Sequence, residues 1–163
     1  MTHVELSLSP TVTPDWRPPV AVPAELNRWV TAVVESDEPA LIIDASATIV
    51  ATTPACATLL GLRHPWVGER LPDSLHLIDF TAAGSELPEP ERELIPPLLA
   101  VASGRLARGL IRVRTTGQAE PERPHPRPER PGAGPQTKTL DAIATPLHAD
   151  GVAVGSLTFF CEI

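Results

Sequence analysis

The strongest restriction on the fold comes from the dipeptide Asp150-Gly151, which lies between two runs of alternating apolar and polar residues. Both central positions of a type I′ turn need a positive φ, which Gly adopts readily and Asp tolerates. The flanking runs, 138–148 and 152–162, have the period of two that is typical of a strand with one buried face. The sequence therefore predicts an antiparallel β-hairpin in this part of the chain.

Three further strands are predicted upstream. The runs 40–44 and 48–52 are rich in aliphatic and β-branched residues and flank the small residues 45–47, which predicts a second hairpin. The segment 109–115 alternates apolar residues with arginines, so one of its faces is expected to be buried and the other solvated. Together with the hairpin around Asp150-Gly151, these runs predict five strands.

Three segments have the features of helices. Residues 23–34 begin with a proline and place apolar residues at spacings of three and four, which predicts an amphipathic helix. Thr53-Pro54 is suited to cap and open a short helix that Gly61 ends. Residues 89–103 predict another helix, which Pro96-Pro97 must kink or break because proline has no backbone N–H to donate.

The distribution of prolines divides the chain. Residues 1–22 carry four prolines among Thr and Ser and are expected to form a flexible arm. Residues 118–136 carry six prolines and no large apolar residue, so they are predicted to be a disordered insertion between the third and fourth strands. The remaining length suits one hydrophobic core, which predicts a single domain over 23–163.

Composition excludes several classes of partner. The chain has 20 acidic and 13 basic residues, a formal charge of -7 and a pI near 5.2, so its field is expected to repel nucleic acid and anionic lipid. No apolar stretch reaches the length of about 20 residues that spans a bilayer, and no secretory signal is recognisable. Cys56 and Cys161 have no CxxC or metal-type spacing, which is typical of a reducing compartment. We expect a cytoplasmic protein that contacts neither nucleic acid nor membrane.

Two segments resemble parts of PAS domains. The segment 40–61, with its words ALIID and TPACATLLG, resembles the first PAS hairpin and the helix after it, and the segment 148–157, HADGVAVGSL, resembles the last PAS hairpin. The resemblance covers about 24–163. It implies an α+β domain with a five-stranded antiparallel sheet, helices on one face and an N-terminal flanking helix. Ala47 departs from the usual PAS pattern, in which a turn glycine is common, and Thr52-Thr53 replaces the usual aromatic-Ala-Asn.

Ligands of PAS domains sit between the sheet and the middle helices, so the resemblance implies an apolar pocket there for a small ligand. The candidate lining residues are Ile43, Leu59, Trp66, Leu75, Phe80, Leu98, Ile143 and Leu157. The same residues make an ordinary core where no cavity exists, and a cavity of roughly a few hundred cubic ångströms would distinguish the two.

PAS domains that bind a cofactor carry recognisable sequence marks. The middle helices lack the Asn-Cys-Arg-Phe word of flavin-binding relatives, and residues 89–103 lack the histidine of haem-binding relatives, although His64 or His76 stays available as a haem ligand. We therefore expect neither flavin nor haem. The five histidines lack the mutual spacing of a metal site, and no metal is expected.

Two surfaces are candidates for contact with a second molecule. The first is the amphipathic helix, whose apolar residues pack either on its own domain or on a second copy: Leu26, Trp29, Val30 and Val33. The second is one face of the strand 109–115, where a period of two places Arg112 and Arg114 together with Arg108. This face is either solvated or suited to an acidic partner. We expect a homodimer through the helix and an unidentified regulatory protein partner.

Few residues have the pattern of reactive groups. Cys56 is the third residue of the short helix opened by Thr53-Pro54, where the helix dipole favours a thiolate; the alternative to a redox role is a small buried thiol. No GxSxG, HExxH or phosphate-loop motif occurs. Asp44, Asp79 and Asp141 are catalytic candidates in principle, but most such residues are expected in turns and caps. No catalytic residue is assigned.

The expected function is that of a non-catalytic PAS sensor or interaction module in signal transduction or transcription control. Because the sequence begins at Met1 and ends directly after the last strand, the module is expected to act in trans, through association that a ligand or a partner changes. The alternatives are a dedicated small-molecule receptor with an apolar pocket and a small enzyme on a similar open α+β sheet.

Overall fold

The computed structural model describes residues 22–115 and 135–163. The predicted arm, 1–22, and the predicted insertion, 118–136, lie almost wholly outside these residues. The extent of the arm, of the insertion and of the single domain therefore stays a prediction.

The strands of the described residues form one antiparallel sheet. They are β1 (Ala40–Asp44), β2 (Ile49–Thr52), β3 (Ala107–Thr115), β4 (Gln136–Ala149) and β5 (Val152–Glu162). Their order across the sheet is β2-β1-β5-β4-β3, so the two hairpins meet where β1 pairs with β5. This arrangement confirms the predicted α+β class with a five-stranded antiparallel sheet.

The turn between β4 and β5 has the predicted geometry. The backbone angle φ is 49° at Asp150 and 79° at Gly151, and two consecutive positive φ angles are the requirement of a type I′ turn. From this turn the two strands pair as far as Leu140 and Glu162. Strand β4 begins at Gln136, two residues before its predicted start.

The helices are short and most are bounded by proline or glycine. They are α1 (Asn27–Val34), preceded by one 3₁₀ turn (Ala24–Leu26), α2 (Pro54–Leu60), α3 (Leu71–Ser74), α4 (Glu89–Arg92) and α5 (Pro96–Ser103). The hydroxyl of Thr53 caps α2 by accepting a hydrogen bond from the Cys56 N–H at 3.1 Å, and Gly61 ends it with a φ of 68°. The predicted helix 89–103 is broken into α4 and α5 because Pro96 cannot donate a helical hydrogen bond.

Helices α2, α3 and α5 lie over one face of the sheet, which we call the inner face. The strands contribute to the core there through Leu41, Ile43, Ile49, Ile111, Val113, Leu140, Ala142 and Phe160. Helix α5 is also tied to the sheet by a buried hydrogen bond in which Ser156 Oγ donates to the Pro97 carbonyl at 2.9 Å. The inner face is therefore the side that corresponds to the predicted pocket.

The 3₁₀ turn and α1 cover part of the opposite, outer face. Leu26 and Val33 pack there against Ile42, which points away from the inner core because alternate residues of a strand face opposite sides. Helix α1 lies over β1 and β2, and the 3₁₀ turn lies over β5. Farther across the outer face, Ile143 and Phe159 are paired directly opposite each other and are 38% and 45% exposed.

Candidate ligand-binding clefts

Two clefts border α5. The first, the β1–α5 cleft, has a volume of about 350 Å³ and lies between the end of β1, the β1–β2 turn and α5. Its lining residues are Ile43, Ala45, Ser46, Ala47, Arg70, Glu93, Leu98, Val101 and Ala102. Arg70 and Glu93 form an ion pair in this lining, with 3.1 Å between Nη2 and Oε1, and both side chains are about half exposed.

The second cleft, the β3-edge cleft, has a volume of about 420 Å³ and lies between β3 and the segments 77–87 and 91–99. Its wall is mainly apolar, with Glu91 and Arg108 as its charged members. Four of its large apolar side chains are more than a third exposed: Phe80, Leu94, Leu99 and Leu110. So many exposed apolar groups converging on one depression are unusual for a surface that faces only water.

Three of the predicted pocket residues line a cleft. Ile43 and Leu98 lie together in the β1–α5 cleft, whereas Phe80 lies in the β3-edge cleft. Three others belong to the packed inner core or its margin: Leu59, Trp66 and Leu75. The structure thus brings Ile43 and Leu98 to one site and separates them from Phe80.

The remaining two predicted pocket residues, Ile143 and Leu157, lie on the outer face, which corrects their assignment. Leu157 pairs with Ile42 and packs in the cluster beneath α1. Ile143 pairs with Phe159 at the exposed part of the same face. The neighbouring residue on β4, Ala142, is the one that faces the inner core, and it is small and fully buried. The larger side chain of Ile143 therefore gave no guide to which face of β4 is the inner one.

The predicted dimer helix packs on its own chain. Leu26 and Val33 are 0% and 3% exposed, so neither is available to a second copy, which corrects that part of the prediction. Trp29 and Val30 are half-buried at the margin of the same cluster. The guanidinium of Arg28 lies 5.1 Å from the centroid of the Trp29 ring. The helix therefore presents Trp29 and Val30 to any second molecule.

The arginines of β3 are engaged within the chain. Arg108 forms an ion pair with Asp141 of β4, with Nη2 2.6 Å from Oδ2, and this hydrogen bond holds the pKa of the Asp141 carboxyl below its usual range. Arg112 and Arg114 donate to backbone carbonyl oxygens of the segment 79–84, at distances of 3.3, 3.4 and 3.0 Å. Arg112 and Arg114 therefore hold the segment 79–84 against β3. This segment forms one wall of the β3-edge cleft.

Asp79 stabilises the same segment through hydrogen bonds to residues that follow it closely in sequence. Its Oδ1 accepts hydrogen bonds from the Thr81 hydroxyl at 2.6 Å, from the Thr81 N–H at 3.1 Å and from the Ser85 N–H at 3.2 Å. These bonds, the hydroxyl first, lower the pKa of the Asp79 carboxyl. Asp79 is thus a turn residue, and its spacing to Thr81 is the signal that marks such a turn in a sequence.

No family model matches the chain, and no curated protein matches it. Solved structures do, and three of them each match over 85% of the chain. The PAS domain of a protein from Colwellia psychrerythraea is 16% identical, with a TM-score of 0.53 and 96% of its length covered. The PAS domain of BvgS from Bordetella pertussis is 15% identical, with a TM-score of 0.55 and 86% covered. A LOV protein from Rhodobacter sphaeroides is 10% identical, with a TM-score of 0.58 and 66% covered.

The chain has the PAS fold. At these identities the likeness shows the architecture alone, so the chemistry of the two clefts must be judged from their own residues. The β1–α5 cleft opens on the inner face between sheet and helices, whereas the β3-edge cleft lies at the rim of the sheet, along its last strand.

The side chains in the two clefts bear on the binding of flavin and haem. Neither Cys56 nor Cys161 lines either cleft, and no histidine lines them. The clefts therefore offer neither a thiol to a flavin nor an imidazole to a haem iron. That this chain carries no flavin and no haem stays a prediction.

Residues 22–115 and 135–163 contain no group of three or more His, Cys, Asp or Glu side chains placed to hold a metal ion. Within those ranges, no helix is long and apolar enough to cross a bilayer.

The thiol of Cys56 lies in the inner core of the PAS fold. Burial raises the pKa of Cys56 to about 12, against the smaller opposing effect of a hydrogen bond with the Thr52 side chain. Desolvation of the thiolate therefore outweighs the helix dipole on which the redox hypothesis depended. Cys161, by contrast, is exposed on β5.

We predict that a thiol reagent modifies the native protein once per chain, at Cys161. With a pKa of about 12, the Cys56 thiolate fraction at pH 8 is only about 10⁻⁴, and the sulfur is also inaccessible. Titration with a chromogenic disulfide, before and after addition of urea, measures both thiols. The rapid modification that precedes the addition of urea should vanish in Cys161→Ser. Rapid modification of Cys56 in that folded variant would restore the redox hypothesis.

Proposed function

We propose that the chain is a non-catalytic PAS sensor module in signal transduction or transcription control, whose association with a second molecule changes when a small ligand binds. The observation that carries the proposal is the β1–α5 cleft, which lies between the sheet and a helix and contains Ile43 and Leu98. A volume of about 350 Å³ is in the range of small-molecule sites.

The lining of this cleft favours a small, mainly apolar ligand with one polar end. Ile43, Leu98 and Val101 supply apolar surface, while Arg70 and Glu93 supply charges to its lining. An ion pair between half-exposed side chains stabilises a protein by only about 0 to 1 kcal/mol. The Arg70 guanidinium is therefore free, at little energetic cost, to exchange Glu93 for an acidic or hydrogen-bonding group of a ligand.

Strand β1 offers a path from this cleft to the outer face. Ile43 lines the cleft, and the preceding residue, Ile42, packs beneath α1 on the opposite side of the sheet. A ligand that displaces the end of β1 would shift the support of α1, and with it the position of Trp29. Such coupling needs no contact between the ligand and the partner.

The outer face also supports association of two copies. Ile143 and Phe159 form an exposed apolar pair at the centre of the sheet, on the same face as the half-buried Trp29 and Val30. Aromatic and aliphatic groups of this kind supply most of the binding energy of protein interfaces. We therefore include in the proposal a homodimer that uses this face, in place of the buried Leu26 and Val33.

Native mass spectrometry of the protein purified from its own host tests the proposal, because it reports retained ligand and oligomeric state together. We expect wild type to retain a small molecule and Ala102→Trp, which fills the β1–α5 cleft from α5, to retain at least about tenfold less. Leu99→Trp is the matched control, since it places the same ring on the same helix but in the β3-edge cleft.

Each outcome of this experiment decides a part of the proposal. Loss of the ligand from Leu99→Trp with retention in Ala102→Trp assigns the ligand to the other cleft. A wild-type protein that retains no small molecule, or an Ala102→Trp variant that retains as much as wild type, contradicts ligand binding in the β1–α5 cleft. A monomeric mass at every concentration contradicts the homodimer.

A further inference from the structure

Strand β3 is the last strand of the sheet, and part of its outer edge has no backbone partner. At one end that edge is paired, because the Ile78 N–H donates to the Arg112 carbonyl at 2.9 Å. The backbone groups of alternate residues point to the same side of a strand, so those of Arg108 and Leu110 face this edge as well. Among the described residues nothing pairs with Arg108 or Leu110 there.

The β3-edge cleft lies directly beside this open edge. Leu110 belongs to both, and Phe80, Leu94 and Leu99 form exposed apolar parts of the wall. An edge with free N–H and C=O groups beside an apolar depression has the two features by which a sheet takes up an extended peptide. The backbone groups supply hydrogen bonds, and the depression receives every second side chain.

The charge that this cleft offers to a second molecule is negative. Its two charged lining residues are Glu91 and Arg108. Both Nε and Nη2 of Arg108 donate to the carboxylate of Asp141, so this guanidinium is already engaged. The side chain of Glu91 is exposed and has no hydrogen bond or ion pair within the described part of the chain. Glu91 therefore favours an occupant that carries an amine or a guanidinium group.

We propose that the free edge of β3 takes up an extended segment of a partner protein, with apolar side chains in the β3-edge cleft and a lysine or arginine at Glu91. The free stretch of β3 runs from Ala107 to Ile111, which suits a segment of about five residues. The formal charge of -7 on the whole chain also attracts a basic segment. This proposal names a partner chemistry beyond the function proposed above, and it does not rest on ligand binding in the β1–α5 cleft.

The same edge of a second copy does not fit this place. A two-fold antiparallel pair of β3 strands centred on Leu110 would set Arg112 of each copy opposite Arg108 of the other. The edge at Arg112 already holds Ile78 of its own chain, so each Ile78 would occupy the position that Arg108 of the other copy needs. A single extended segment meets Ile78 at one end only, where it can turn away from the sheet.

Binding of synthetic peptides to the full-length protein, measured by calorimetry, tests the role of Glu91. The probes are short capped peptides in which Val or Leu alternates with Ser and one apolar position carries either Lys or Glu. We expect wild type to bind the Lys peptides at least about fivefold more tightly than the Glu peptides, and Glu91→Lys to lose this preference. Glu89→Lys is the matched control, because it makes the same change at an exposed residue of α4 outside the cleft lining and should keep the preference.

Leu110→Pro tests the backbone pairing separately. Proline lacks the N–H that faces the free edge, and it is tolerated on edge strands because the ladder to the neighbouring strand does not need that donor. We expect Leu110→Pro to weaken binding of the Lys peptides at least about tenfold, and Leu110→Ala, which keeps the N–H, to weaken it about threefold or less. Unchanged amide hydrogen exchange in the centre of β5 shows that both variants stay folded.

Four results would overturn the proposal. The first is that wild type binds none of the peptides, or binds the Glu peptides as tightly as the Lys peptides. The second is an equal effect of Glu91→Lys and Glu89→Lys. The third is equal binding by Leu110→Pro and Leu110→Ala, which leaves an apolar contact without an added strand. The fourth is protection of the Leu110 N–H from exchange before any peptide is added, which assigns the edge to this chain itself, or to a second copy if the protection grows with protein concentration.

Discussion

Replacing Gly155 by alanine is expected to lower the free energy of unfolding by about 3 kcal/mol. A Cβ at this position would overlap the backbone carbonyl oxygen of Ile43 on the neighbouring strand β1 and lie 3.3 Å from Leu26 Cδ1. Gly155 pairs with Asp44 of β1 on one side and with Leu147 of β4 on the other, so its backbone has no room to move aside. The substitution therefore disturbs the pairing of β1 with β5, which joins the two hairpins.

Urea denaturation followed by tryptophan fluorescence and by circular dichroism measures this loss. Gly151→Ala is the matched control, because a Cβ there meets nothing within 4 Å and only the positive φ of 79° is strained. That strain is expected to cost about 1 kcal/mol. Equal losses of free energy in the two variants would show that the paired strands β1 and β5 can accommodate a side chain at position 155, contrary to the close approach of Ile43 to Gly155.

The parts of the fold that the sequence predicted well are those whose information is local. Asp150-Gly151 determines its turn through its own two φ angles, and Thr53-Pro54 with Gly61 bounds α2 through contacts within one helix. The break before Pro96 follows from the chemistry of that residue alone. None of these features needs knowledge of distant parts of the chain.

The parts that were wrong depend on contacts between distant residues. A period of two shows that Ile143 and Leu157 lie on the opposite face of the sheet from their neighbours in sequence. Which of the two faces the helices cover depends on where α5 and α1 pack. The amphipathic pattern of α1 likewise gives its apolar side without saying that its own sheet buries Leu26 and Val33. Both corrections to the candidate site have this cause.

Ala47 shows how a departure from a family pattern is accommodated. Its φ is 63°, in the left-handed region that explains why a glycine is common at this turn. The turn is held by Asp44, whose Oδ1 accepts hydrogen bonds from the Ser46 and Thr48 N–H groups at 2.8 and 2.9 Å. Because Ala47 also lines the β1–α5 cleft, its methyl group narrows that cleft relative to a glycine.

Thr53→Val is expected to destabilise the protein by about 3 kcal/mol, because one buried hydroxyl joins the start of β1 to the first turn of α2. Thr53 is 0% exposed, and its Oγ1 accepts from the Cys56 N–H at 3.1 Å and the Ala40 N–H at 3.2 Å while donating to the Glu38 carbonyl at 2.9 Å. Valine has nearly the same shape but leaves both N–H groups without this acceptor, and a buried donor without a partner costs about 1 to 3 kcal/mol.

Thr53→Ser separates the hydroxyl from the rest of the side chain. Serine keeps all three hydrogen bonds and loses one buried methyl group, which is expected to cost about 1 kcal/mol. Urea denaturation should therefore rank the proteins as wild type, then Thr53→Ser, then Thr53→Val, with the larger step at the loss of the oxygen. If valine proved as stable as serine, the link between the start of β1 and the first turn of α2 would have to come from apolar packing around Thr53, and the hydroxyl network would be incidental to the fold.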